Sequence, residues 1–133
     1  MVIIKTMKPL LTTTAIVEAL TGMGLIAAPS FIVSLLVGSP LDGAEAITLA
    51  RIAGAALISI AMACWFSRNN AAASGVVKAI LFYNIAGAVV FLYGAIGYKL
   101  SGVGLWPAVL LHAGLALWCF VSLGQHKEIV KSI

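Results

Sequence analysis

Apolar residues run almost unbroken through four long stretches, at about 10–28, 44–66, 76–98 and 105–123, with short polar interruptions between them. Each has about the length a helix needs to cross a bilayer, roughly 20 residues at 1.5 Å per residue. The interruptions read as boundaries. Lys5 and Lys8 precede the first span and Pro29 follows it. Residues 30–37 are apolar but too short to cross. Joined to the first span they would make a helix of about 28 residues, and Pro29 disfavours helical geometry at Ala28. They are predicted to form a short interfacial helix ended by Gly38-Ser39-Pro40, with a kinked, tilted continuation of the first span as the alternative.

Asp42 is the predicted N-cap of the second span, and Glu45 suits the positive end of its dipole. Ser67-Arg68-Asn69-Asn70 ends that span, and Lys78 lies close enough to the start of the third to snorkel. Ser101-Gly102-Val103-Gly104 makes a tight turn, Pro107 falls in the first turn of the fourth span, and the polar tail from Gln125 to Ile133 is expected to fray. Lysines before an apolar run also describe a signal peptide. A cleavage site near Ala27 or Ala28 would be followed at once by proline, so the segment is read as a retained span.

Composition strengthens this pattern. Of 133 residues, 62% are hydrophobic and 9% charged, against about 25% charged in a soluble domain. The expectation is an all-α integral membrane four-helix bundle forming one domain over residues 1–133. The water-facing segments are too short for a large extramembrane catalytic domain. The net charge of +4 is no nucleic-acid footprint, because the basic residues sit at helix ends. Lys5, Lys8, Arg68, Lys78, Lys127 and Lys131 gather on one face, and Asp42, Glu45 and Lys99 on the other. By the positive-inside rule both termini are expected in the cytoplasm. Trp65 and Trp106 fall near opposite boundaries, as an aromatic belt requires.

Close helix approach in lipid depends on small residues. The second span carries two strips, Ala46-Ala50-Gly54 and Ala55-Ser59-Ala63. The third has Gly87 and Gly94 on one face, and the first has Thr14, Glu18 and Gly22. Plain bundle packing explains most of this. Two strips on one helix leave one for a partner, so other membrane subunits or a second copy are expected besides lipid.

Four strongly polar groups lie inside the spans: Glu18, Arg51, Asn84 and His112. Such groups are expensive in hydrocarbon and each needs a reason. Helix rise puts Arg51 roughly 10 Å and His112 roughly 12 Å below the outer boundary, with Glu18 and Asn84 roughly 12 Å from the inner one. The four could therefore converge, and small neighbours (Gly22, Ala55, Ala88, Ala108, Ala116) suit inward-pointing groups. A lone carboxylate in hydrocarbon keeps its proton or finds a cation. Glu18 is predicted to pair with Arg51, directly or through Asn84 or water. The opposed tilt of the two side chains widens their gap. The blander readings are snorkelling of Arg51 toward Asp42 or Glu45, a neutral Glu18 bonded to Thr14 or Thr21, a structural hydrogen bond at Asn84 and a satisfied core histidine at His112.

Chemistry is bounded by this short set. Glu18 and His112 are too few for a metal site, and a bis-histidine haem lacks a second intramembrane histidine. Cys64 and Cys119 form no C-x-x-C and are read as core thiols. No nucleophile–base pair is placed, so no catalytic residue is assigned. No cofactor is specified; a lipid or quinone is the kind of molecule the cluster could hold.

Ala108-x-x-x-His112 followed by Trp118 is similar to the pigment-binding helix of bacterial light-harvesting polypeptides, where the histidine ligates bacteriochlorophyll. The likeness covers three residues of one helix, and those polypeptides have one span, so pigment ligation by His112 is not adopted. The whole chain resembles uncharacterised small bacterial four-helix membrane proteins. The resemblance rests on Pro29, Gly38-Ser39-Pro40-Leu41-Asp42-Gly43, Ala50-Arg51-Ile52-Ala53-Gly54, Ala63-Cys64-Trp65, Phe82-Tyr83-Asn84, Trp106-Pro107-Ala108 and His112. It implies a fold and no activity.

Three roles fit. The favoured one is a non-catalytic accessory subunit of a larger membrane complex. The second is a small-molecule transporter or binding protein built on the Glu/Arg/His/Asn cluster. The third is a membrane enzyme acting on a lipid or quinone, with His112 as acid or base.

Overall fold

In the computed structural model the backbone is described over residues 2–131 and the side chains over 7–125. Five helices account for the described elements: α1 (Val2–Ala27), α2 (Pro29–Val37), α3 (Ala44–Ser67), α4 (Ala73–Gly97) and α5 (Leu105–Lys131). Within them Met7–Ala27, Ala44–Ser67, Ala73–Gly97 and Leu105–Gln125 are long and apolar enough to cross a membrane. The outward faces are apolar, with Phe82, Leu110 and Phe120 each about 70% exposed or more. This is the surface of a bundle solvated by hydrocarbon.

Three boundaries differ from the sequence expectation. α1 begins at Val2 and passes through Pro9. That ring lies beyond the first turn and cannot donate to the carbonyl four residues earlier, so one bond of the helix is lost there. α5 runs on to Lys131 instead of fraying after Leu123, because Gln125, Lys127 and Glu128 are good helix formers and no proline follows. The N-cap of α3 is Gly43, at φ +84°, and not Asp42. The chain turns in the left-handed region there, so Asp42 lies one residue outside the cap.

Pro29 separates α1 from α2 as expected, with Ala28 in a non-helical conformation between them. A Cβ added at Gly24 would meet the Ile32 side chain at 3.0 Å. In a continuous helix those residues would be about 12 Å apart along the axis. α2 therefore folds back over the end of α1, and the tilted continuation is excluded. The α4–α5 loop pins it there. The N–H of Gly104 donates to the Leu35 carbonyl at 2.7 Å, and that of Ser101 to the Val37 carbonyl at 3.4 Å. These carbonyls lack partners within their own helix. A Cβ at Gly102 would fall 2.3 Å from the Leu36 backbone, so the close approach requires glycine.

The long helices pack as two antiparallel pairs, α1 with α3 and α4 with α5. In the first pair Gly22 and Gly54 face each other. A Cβ on Gly22 would lie 2.6 Å from the Gly54 carbonyl oxygen, and one on Gly54 would lie 2.7 Å from that of Gly22. Small residues thus bring the backbones together where lipid supplies no drive between helices. The second strip of α3, Ala55-Ser59-Ala63, is exposed, and the Ser59 hydroxyl donates to the Ala55 carbonyl. At the end of the bundle away from α2, Met7, Leu10, Leu11, Val77, Cys64 and Cys119 close a core cluster, with both thiols free and buried.

Charge separates between the two ends. Exposed Lys8 and Lys78 lie toward the end away from α2, with Arg68, whose guanidinium lies 3.4 Å over the Trp65 ring and donates to the Trp65 carbonyl. Asp42, Glu45 and Lys99 lie at the α2 end. The side chains of Lys5, Lys127 and Lys131 lie outside the described residues.

Candidate functional site

The two helix pairs meet less tightly than the helices within each, and a cleft of about 730 Å³ opens between them. Drug-sized ligands occupy pockets of roughly 300–1,000 Å³. α1, α4 and α5 supply most of the lining, Leu57 closes the back, and Ile32, Leu35 and Leu36 of α2 form a roof. Leu20, Val90 and Leu111 line it too and are 62%, 67% and 43% exposed. The mouth therefore opens sideways, toward lipid, and not along the bundle axis.

Polar groups occur at the floor. Glu18 is buried, and its Oε2 accepts from the Tyr83 hydroxyl at 3.2 Å, long for an O–H···O bond. The Tyr83 ring stands edge-on to His112, with centroids 5.5 Å apart. His112 is also flanked by Phe91 at 5.4 Å. Its Nδ1 lies 2.9 Å from Oδ1 of the fully buried Asn84, whose Nδ2 donates to the Ile80 carbonyl at 2.8 Å. The imidazole occupies the space left by Gly87, where a Cβ would come within 2.9 Å of Nδ1. Glu18, Tyr83 and His112 line the cleft, and Asn84 braces His112 from behind.

Three of the four sequence-selected residues come together as expected: Glu18, Asn84 and His112. Arg51 does not join them. It is exposed, and Glu18 is instead bonded by Tyr83. The reason is register. With Gly22 opposite Gly54 in antiparallel helices, Glu18 is level with Ile58, seven residues and so about 10 Å along the axis from Arg51. Arg51 also shares the outward strip of α3, four residues before Ala55. Nor does Glu18 turn to a threonine: Thr21 donates to the Val17 carbonyl at 2.9 Å, and the buried Thr14 hydroxyl has no partner among the described residues.

Tyr83 is the site residue that sequence reasoning missed. A tyrosine in a membrane helix reads first as an interfacial anchor. The available signal was depth: it is ten residues into α4, beside Asn84. Gly87 reads in sequence as a packing residue, but its role as the seat of the His112 ring depends on the partner helix.

Comparison with known proteins adds a family and no activity. A family model described as a domain of unknown function, DUF8292, matches residues 12–127. No curated protein and no solved structure matches the chain.

Proposed function

The chain belongs to the DUF8292 family, which carries no activity to transfer, and we propose from the cleft that it is a membrane-embedded binding protein for a small, mostly apolar molecule bearing one neutral polar group. The observation that carries this reading is a lipid-facing apolar cleft of about 730 Å³ with a Glu18–Tyr83–His112 floor. A scaffold would fill that space with packed side chains. Tyr83 lies about 15 Å from one end of α4 and about 21 Å from the other, so the floor sits deep in the bundle. A charged headgroup carried there would be poorly solvated. A compact neutral group on a hydrocarbon body suits both floor and walls.

Binding of radiolabelled 1-hexadecanol to the full chain in lipid nanodiscs tests this. The expected result is one saturable site per chain. Ala108→Phe, which puts a ring into the cleft from its lining, should abolish the saturable component while thermal unfolding stays cooperative. Equal saturable binding by both proteins would contradict the reading.

A second reading, the accessory subunit, draws on a separate observation. Arg51, Ala55, Ser59 and Ala63 form an exposed strip on α3 suited to another helix. Copurification of a stoichiometric partner from mild detergent is expected; isolation as a lone monomer would count against it. For location, we propose the inner membrane of a bacterium with both termini in the cytoplasm, supported by the gathering of Lys8, Arg68 and Lys78 toward one end.

A further inference from the structure

The Asn84–His112 pair has a consequence for what the cleft can hold. A backbone carbonyl only accepts hydrogen bonds, so the 2.8 Å contact with Ile80 fixes the nitrogen of the Asn84 amide on that side. The amide oxygen then faces His112 Nδ1 at 2.9 Å. That oxygen also only accepts, so Nδ1 must hold a proton. In the neutral imidazole the lone pair therefore lies on Nε2.

Nε2 has no hydrogen-bond partner among the described residues, yet it is not among the sealed, unpartnered atoms. His112 lines the cleft and its Nε2 is not sealed, so the cleft is the space that can supply a partner. The nearby tyrosine cannot serve it, because the Tyr83 hydroxyl proton is directed to Glu18 Oε2. The floor thus offers an acceptor held in one tautomer, at a depth where water is scarce.

We infer that the cleft selects a long-chain neutral alcohol, whose hydroxyl donates to His112 Nε2 while its hydrocarbon body leaves past Leu20, Val90 and Leu111 into the lipid. This rests on the binding reading and narrows it. Ketones, ethers and quinone carbonyls have no proton to give. With its single proton given to Nε2, the alcohol oxygen keeps two lone pairs and can still accept from a second donor. Asn84 is a positioning residue in this scheme: it touches His112 and not the ligand.

The test is competition against radiolabelled 1-hexadecanol on the full chain in phosphatidylcholine nanodiscs. Unlabelled 1-hexadecanol should displace the label, and its methyl ether and the matching ketone should compete about tenfold more weakly or worse, the effect of leaving a buried acceptor unpaired. Asn84→Leu should shrink that preference by releasing the tautomer. In the wild-type protein the nitrogen-15 spectrum of His112 should show a protonated Nδ1 and an unprotonated Nε2, a signature that a packing role alone would not set. Saturable binding with equal competition by alcohol and ether, or a proton on Nε2 of the neutral ring, overturns this inference and leaves the binding reading standing. Absence of any saturable hexadecanol binding overturns both.

Discussion

At the scale of single residues, the polar groups of the spans divide by what satisfies them. Thr12, Thr21, Thr48 and Ser59 return their hydroxyls to carbonyls four residues back, the ordinary solution in a membrane helix. Asn84 and Glu18 are satisfied across helices, by His112 and Tyr83. Thr14 stands out because its buried hydroxyl has no partner among the described residues, although it lies one turn from Glu18. Removing such a group should help, since an unmade hydrogen bond costs roughly 1–3 kcal/mol. Thr14→Val, which keeps the branched shape, is expected to stabilise the detergent-solubilised protein by about 1 kcal/mol. Thermal unfolding would reveal it, and a fall in stability would mean that the hydroxyl has a partner, such as a trapped water. Glu18, Asn84 and His112 were legible from sequence because polar groups are so rare in these spans. Arg51 shares their range of depth but faces outward, because depth along a helix says nothing about which way a side chain faces. The facing is set by the Gly22–Gly54 contact, which no single helix reveals.

At the scale of elements, apolar length alone placed the four membrane-crossing segments within a few residues, although α1 and α5 extend beyond them, and Pro29 alone separated α1 from α2. What the sequence could not yield was the fold-back of α2, which depends on Ile32 seating on Gly24 and on loop donors from Ser101 and Gly104. That fold-back roofs the cleft, so the site is a tertiary product of elements that look unremarkable one at a time. Charge is distributed by element ends, and it is the basis for the proposed orientation. Reporter fusions at the N- and C-termini should both register the cytoplasm; a reporter outside at either end would overturn that orientation. The wild-type distribution of Lys8, Arg68 and Lys78 is the cause invoked, so adding lysines to the Asp42–Glu45 turn should weaken the preference.

At the scale of the whole molecule, two tightly packed helix pairs leave a gap that is apolar in its walls, polar at its floor and open to lipid. The pairs are held by small residues, Gly22 with Gly54 in one and Gly87 beneath His112 in the other. Close packing within each pair coexists with looser packing between them, and the cleft follows from that difference. The most direct test of the central claim is where a bound alcohol sits. A 1-hexadecanol carrying a diazirine on its chain, photoactivated on the full protein in nanodiscs and mapped by peptide mass spectrometry, should label Leu20, Leu36, Val90 and Leu111, with labelling suppressed by excess 1-hexadecanol. Labelling spread over the outward residues Leu49, Ile52 and Met62 of α3, unchanged by competitor, would contradict it.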